Sequence, residues 1–108
     1  MTQSITGRRT ELLGSRLRRF ARRGGRSHVS KLLERSRPED VALVFGDLTP
    51  EEQQFVFGVL LKDFPESSGE FLTELDPSDR RRLLEGRAED QIATMLEKMS
   101  VDDAVEVV

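Results

Sequence analysis

"DLTPEEQQFVFGVLLKDFPESSGEFLTELDPSD", residues 47–79, carries three prolines, and each stands where an apolar helical run begins. In "TPEE", Thr49 can accept from a free backbone N–H while Glu52 reaches back, a capping box with Pro50 at the first helical position. "DPSD" repeats the arrangement with Asp76, Pro77 and Asp79. Between the starts, Phe55, Val56, Val59, Leu60 and Leu61 are dense enough to predict a helix buried on more than one side. Phe71, Leu72 and Leu75 mark the next helix. No segment alternates at period two for long enough to make a strand.

The same phrase recurs on both sides of this stretch. "RPED" (37–40) precedes it and "MSVDD" (99–103) follows it, with weaker copies in "DFPES" (63–67) and "GRAED" (86–90). The proline or its equivalent falls at 38, 50, 65, 77, 88 and 101, in steps of 12, 15, 12, 11 and 13. Towards the N-terminus, Leu13, Leu17, Phe20 and Ala21 line a first helix that Gly24–Gly25 would end. Val29, Leu32 and Leu33 mark a second, and Val41, Leu43, Val44 and Leu48 a third. Towards the C-terminus, Leu83 and Leu84 mark a short helix, Ile92, Met95, Leu96 and Met99 another, and Val101 opens an eighth with Ala104, Val105 and Val108. Helices this short do not suit a four-helix bundle. They predict an all-α, armadillo-like, right-handed superhelix of about seven to eight short helices, each burying a face on its neighbours. Apolar residues are still arriving at Val108, so the native chain is expected to continue there or to be covered by another surface.

The chain has 108 residues, 36% of them hydrophobic and 34% charged, enough for one domain with a modest core. It has no cysteine, which excludes a disulfide framework, a thiolate nucleophile and a cysteine zinc site. No apolar run approaches the roughly 18 residues of a membrane span, and no signal-like apolar stretch opens the sequence. A soluble cytoplasmic module is expected. Residues 1–37 hold eleven Arg/Lys against two acids, a net +9, while the rest hold six against eighteen, a net −12. A basic segment (1–27) therefore precedes an acidic superhelical domain (28–108). Such halves can bind opposite partners or attract each other.

Catalytic chemistry finds little support. His28 is the only histidine, and a lone imidazole beside a helix start lacks the partner a general base needs. No nucleophile elbow, zinc helix or phosphate loop is present. An enzyme is not expected. In the basic segment, Arg16, Arg18, Arg19, Arg22 and Arg23 fan around the stripe of Leu13, Leu17 and Phe20. That pattern suits a packed first helix with a solvated arginine face, or contact with an anionic membrane surface. Nucleic acid fits less well, since no aromatic platform interleaves the arginines. No dense calcium loop exists, but scattered carboxylates can meet Mg²⁺, which keeps several waters and needs only one or two of them.

The ordered phrases "SKLLERSRPEDVALVFGDLTPEE", "SSGEFLTELDPSD" and "MLEKMSVDDAVEVV" resemble the cytoplasmic N-terminal domain of MgtE-type magnesium transporters. The likeness covers roughly residues 12–108, and it rests on the order and spacing of phrases that are individually plain helix caps. It implies a regulatory domain that senses intracellular Mg²⁺ and gates transport by docking on CBS domains through bridging Mg²⁺, in a homodimeric inner-membrane assembly. The family's metal-facing glutamate corresponds to Glu70, and its metal-facing aspartate to Asp102, with Asp103 beside it and Glu106 one turn on. Here Ser67, Ser68 and Gly69 replace the family's alanines, and the arginine-rich head has no family role to carry over. Asp103, at the third position after Ser100, is also the natural capping partner, so cap and metal ligand remain alternative readings of the pair. Mg²⁺ binding by the isolated domain is expected to be weak. A metal-free helical scaffold, like the flagellar rotor switch domains, and a polyanion-binding adaptor are the alternatives.

Overall fold

A computed structural model describes residues 2–99 and residue 102, with the side chains described from residue 10 onward. Seven helices are present among the described residues: α1 (Thr2–Arg22), α2 (Arg26–Glu34), α3 (Pro38–Phe45), α4 (Pro50–Asp63), α5 (Pro65–Thr73), α6 (Pro77–Glu85) and α7 (Glu89–Lys98). No strand occurs among them. The chain is all-α, as the periodicity predicts.

Proline punctuation sets the boundaries. Pro38, Pro50, Pro65 and Pro77 each occupy the first position of a helix, where the missing N–H costs nothing. Both halves of the capping box at α4 are formed: Glu52 N donates to Thr49 Oγ1 at 3.2 Å, and Thr49 N donates to Glu52 Oε1 at 2.8 Å. Asp76 caps α6 by accepting from Asp79 N at 3.3 Å. The weaker copies start helices without such help. Phe64 precedes α5 and Ala88 precedes α7, neither offering a side-chain cap, and α7 opens at Glu89, one residue later than the spacing predicts. The cap proposed for Ser100 and Asp103 lies outside the described residues.

α1 ends as its sequence demands. Gly24 has φ +69°, the left-handed conformation that glycine adopts without steric cost. Its N–H reaches the Ala21 carbonyl at 3.1 Å while Gly25 N reaches Phe20 O at 2.8 Å, the paired bonds of a Schellman turn.

The helices stack in two rows. α1, α3, α5 and α7 pack in series, while α2, α4 and α6 lie in the other row, with α4 also against α1, α5 and α7. This explains why α4 is apolar all round: Val56, Phe57, Val59, Leu60 and Leu61 are all buried, because the helix has neighbours on several sides. Phe71 from α5 is fully buried between Phe45, an edge-on contact at 4.8 Å, and Phe57 at 6.2 Å. Leu17 and Ala21 of α1, Leu83 of α6 and Met95 of α7 join the same core.

One apolar position departs from expectation. Leu43, grouped with Val41 and Val44, is 70% exposed. α3 buries Val41, Val44 and Phe45, spaced by three and four, and a residue two after Val41 necessarily lies on the opposite side of the helix.

Polar seams join the rows. The buried Gln53 amide donates to Phe45 O and accepts from Arg82 Nη2, both at 2.9 Å, so α4 ties the end of α3 to α6. Arg26 forms a two-pronged pair with Asp63 at 2.9 and 3.1 Å, and Ser30 Oγ donates to the same carboxylate at 2.9 Å. Together with Arg22–Glu52 at 3.5 Å, this pair ties the basic head to the acidic body.

Candidate functional site

α5 presents the first of the acidic residues singled out by sequence. Its inner face is Ser68, Gly69, Phe71 and Leu72, all buried. Ser68, though fully buried, is satisfied because its hydroxyl donates to Pro65 O at 2.6 Å. Glu70 falls between these inward pairs and is exposed. So are Glu66 and Glu74, one turn before and one turn after it. Spacing of four places the three carboxylates in a single stripe opposite the buried face. None of the three forms an ion pair with another described residue. Like charges at this spacing repel by about 0.2–0.5 kcal/mol per pair, so the stripe is a local liability tolerated on the surface.

Asp102 is helical and exposed, just past the end of α7. Asp103 and Glu106 lie outside the described residues. α5 and α7 pack against each other next to both residues in sequence. A Cβ at Gly69 would overlap the Met99 side chain, so the residue before Glu70 and the residue three before Asp102 touch. In the sequence Gly69 stood out only as a replacement of the family's alanine. The available signal was a glycine inside a helix, which costs stability unless another element approaches closely.

Among the described residues, no group of three or more His, Cys, Asp or Glu converges to hold a metal ion. Glu70 and Asp102 are each exposed. Mg²⁺ retains several waters and accepts few protein carboxylates.

The five arginines occupy the opposite charge extreme. Arg16, Arg18, Arg19 and Arg22 on α1, and Arg23 in the turn that follows it, are all exposed, while the other face of α1 buries Leu17 and Ala21 and half-buries Leu13 and Phe20. Arg18 Nη2 donates to the Asp47 carbonyl at 3.2 Å. His28 is exposed, stacks on the Phe20 ring at 4.7 Å, and takes no part in either charged region.

Arg87, which the sequence reading passed over, is a half-buried arginine of the acidic half. It lies over the Phe57 ring at 5.6 Å, and its Nη2 donates to the Gln54 carbonyl and to Gln54 Oε1. Its Nε is buried without a hydrogen-bond partner, and burial lowers its pKa from the ordinary arginine value. It holds the turn before α7 against α4.

No helix among the described residues is long and apolar enough to cross a membrane. No curated protein and no solved structure matches the chain. A family match exists over residues 36–108, the described part of which takes in α3 to α7, with both Glu70 and Asp102. It begins after α2, later than the likeness read from the phrases, and leaves the arginine-rich α1 outside. With that match over most of its length, the chain belongs to the MgtE intracellular N domain family, a family of magnesium-transporter domains and not of enzymes.

Proposed function

We propose that this domain is the Mg²⁺-responsive gating module of an MgtE-type transporter, acting on the cytosolic face of the inner membrane. It docks on CBS domains of the same or a neighbouring subunit in a homodimeric assembly, through Mg²⁺ shared between the two surfaces. Glu70 and Asp102 are the residues that would hold the ion from this side, with Asp103 and Glu106 as further ligands. The observation that carries the reading is the family match over residues 36–108, which takes in Glu70 and Asp102, both exposed.

The physical logic is electrostatic. Without a dication, exposed carboxylates on one module repel those of another, at about 1 kcal/mol per pair at 4 Å in water and several-fold more as the gap dries. A bridging Mg²⁺ reverses the sign of that interaction, so its concentration biases a docked form against an undocked one. Because the isolated domain offers only half of the ligand set, it binds the ion weakly. Titration calorimetry of the 108-residue chain with MgCl₂ should show only weak heats without a defined stoichiometry. Tight one-to-one uptake would contradict the shared-site reading.

A further inference from the structure

α1 lies outside the family-matched residues, yet it carries the densest charge in the molecule. Its inner face is spent on the stack through Leu17 and Ala21. Its outer face carries Leu12, Arg16 and Arg19, and Arg23 continues the row just past the helix, its N–H still bonded to Arg19 O, with spacings of four, three and four and Arg18 and Arg22 alongside. Arg18, Arg19, Arg22 and Arg23 line a shallow groove with Ser15. Arg18 and Arg22 have internal partners in the Asp47 carbonyl and Glu52, whereas Arg16, Arg19 and Arg23 form no ion pair with a described residue. Glu11 is the one acid on this helix and does not offset the arginines. Leu12 is 50% exposed at the N-terminal end of this row, where a purely solvated face would gain nothing from an apolar side chain.

We propose that this arginine face of α1 is a docking surface for an anionic bilayer, with Leu12 entering the headgroup layer and the guanidinium groups meeting lipid phosphates. A bilayer explains Leu12, which a nucleic-acid contact does not. Bases would call for exposed aromatic side chains, and the aromatic residue of α1, Phe20, is half-buried against His28. An interfacial helix combines a basic polar face with shallow apolar insertion, and juxtamembrane arginines are drawn to anionic leaflets. The acidic remainder of the chain is repelled by the same surface, which fixes α1 as the contacting side.

The test is co-sedimentation of the 108-residue chain with phosphatidylcholine vesicles and with phosphatidylglycerol-rich vesicles, at low and physiological salt. Binding should occur on the anionic vesicles alone and weaken with salt. The combined Arg16→Ser, Arg19→Ser and Arg23→Ser variant should lose on the order of a hundredfold in partitioning. These side chains are exposed and make no ion pair with a described residue, so the helical circular dichroism and melting of the variant should match the parent, and a loss of binding then reports the surface. Leu12→Ser should lose several-fold on vesicles and nothing on heparin. Absence of vesicle binding at low salt, a triple variant that binds as the parent does, or equal effects of Leu12→Ser on both matrices would each overturn the proposal. So would tighter binding to duplex DNA than to the vesicles at the same salt. Vesicle binding should survive Glu70→Gln with Asp102→Asn, which keeps this surface separable from the Mg²⁺ reading.

Discussion

Phe71 and Asp63 show how single side chains hold the stack. Phe71 fills the junction of α3, α4 and α5, so Phe71→Ala should cost about 3–5 kcal/mol, measured as a lower denaturant midpoint. Asp63 works through charge. Hydrogen bonding from Arg26, aided by Ser30, holds its carboxyl below the ordinary range despite some desolvation. A carboxyl depressed in the folded state stabilises above its unfolded pKa, and that contribution is lost as pH falls through the folded value. The melting temperature should therefore decline below about pH 4, and Asp63→Asn should be less stable at neutral pH with a shallower acid decline. A variant as acid-sensitive as the parent would remove Asp63 from the account. At this scale the sequence was legible where spacing was regular, as for Leu17, Val56 and Phe71. It misled at Leu43, where an apolar residue two positions off the buried row still counted as core. It was silent on the Arg26–Asp63 and Gln53–Arg82 contacts, whose partners are 37 and 29 residues apart. Nothing local announces such pairs.

Helices in this molecule begin by one device used with different strength. At α4 the reciprocal bonds of Thr49 and Glu52 close the box around Pro50, so Thr49→Ala should cost about 0.5–2 kcal/mol in chemical unfolding. The same change at Ser67, within α5 and making no cap, should cost much less. α5 shows the opposite tendency. Glu66, Glu70 and Glu74 repel along one stripe, so Glu70→Gln should raise the stability of the isolated chain by about 0.5 kcal/mol in low salt. That gain should shrink in high salt, and a destabilised variant would show that Glu70 is engaged structurally. Boundaries were legible from sequence because proline and capping chemistry act within four residues. The close crossing of α5 and α7 was not, since Gly69 acquires meaning only once Met99 lies against it.

Across the whole molecule, charge is segregated along the chain, a basic segment first and an acidic part after it. α1 turns its arginines outward at one end of the series α1, α3, α5 and α7, while Glu70 stands on α5 and Asp102 follows α7 in sequence. The fold class was legible from periodicity and repeat length alone. The metal-facing role proposed for the acids was not, because capping and metal binding select the same residue types at the same positions, and the proposal leans on family membership. The account therefore rests on Mg²⁺ joining this surface to a partner surface. The most direct measurement is sedimentation velocity of the domain mixed with the CBS domains of its own transporter, across a Mg²⁺ titration. The parent chain should form a complex as Mg²⁺ rises and release it on chelation, and the Glu70→Gln, Asp102→Asn chain should fail to form it at Mg²⁺ levels that saturate the parent. A complex that is equally Mg²⁺-dependent in both chains would contradict the assignment of these carboxylates to the shared site.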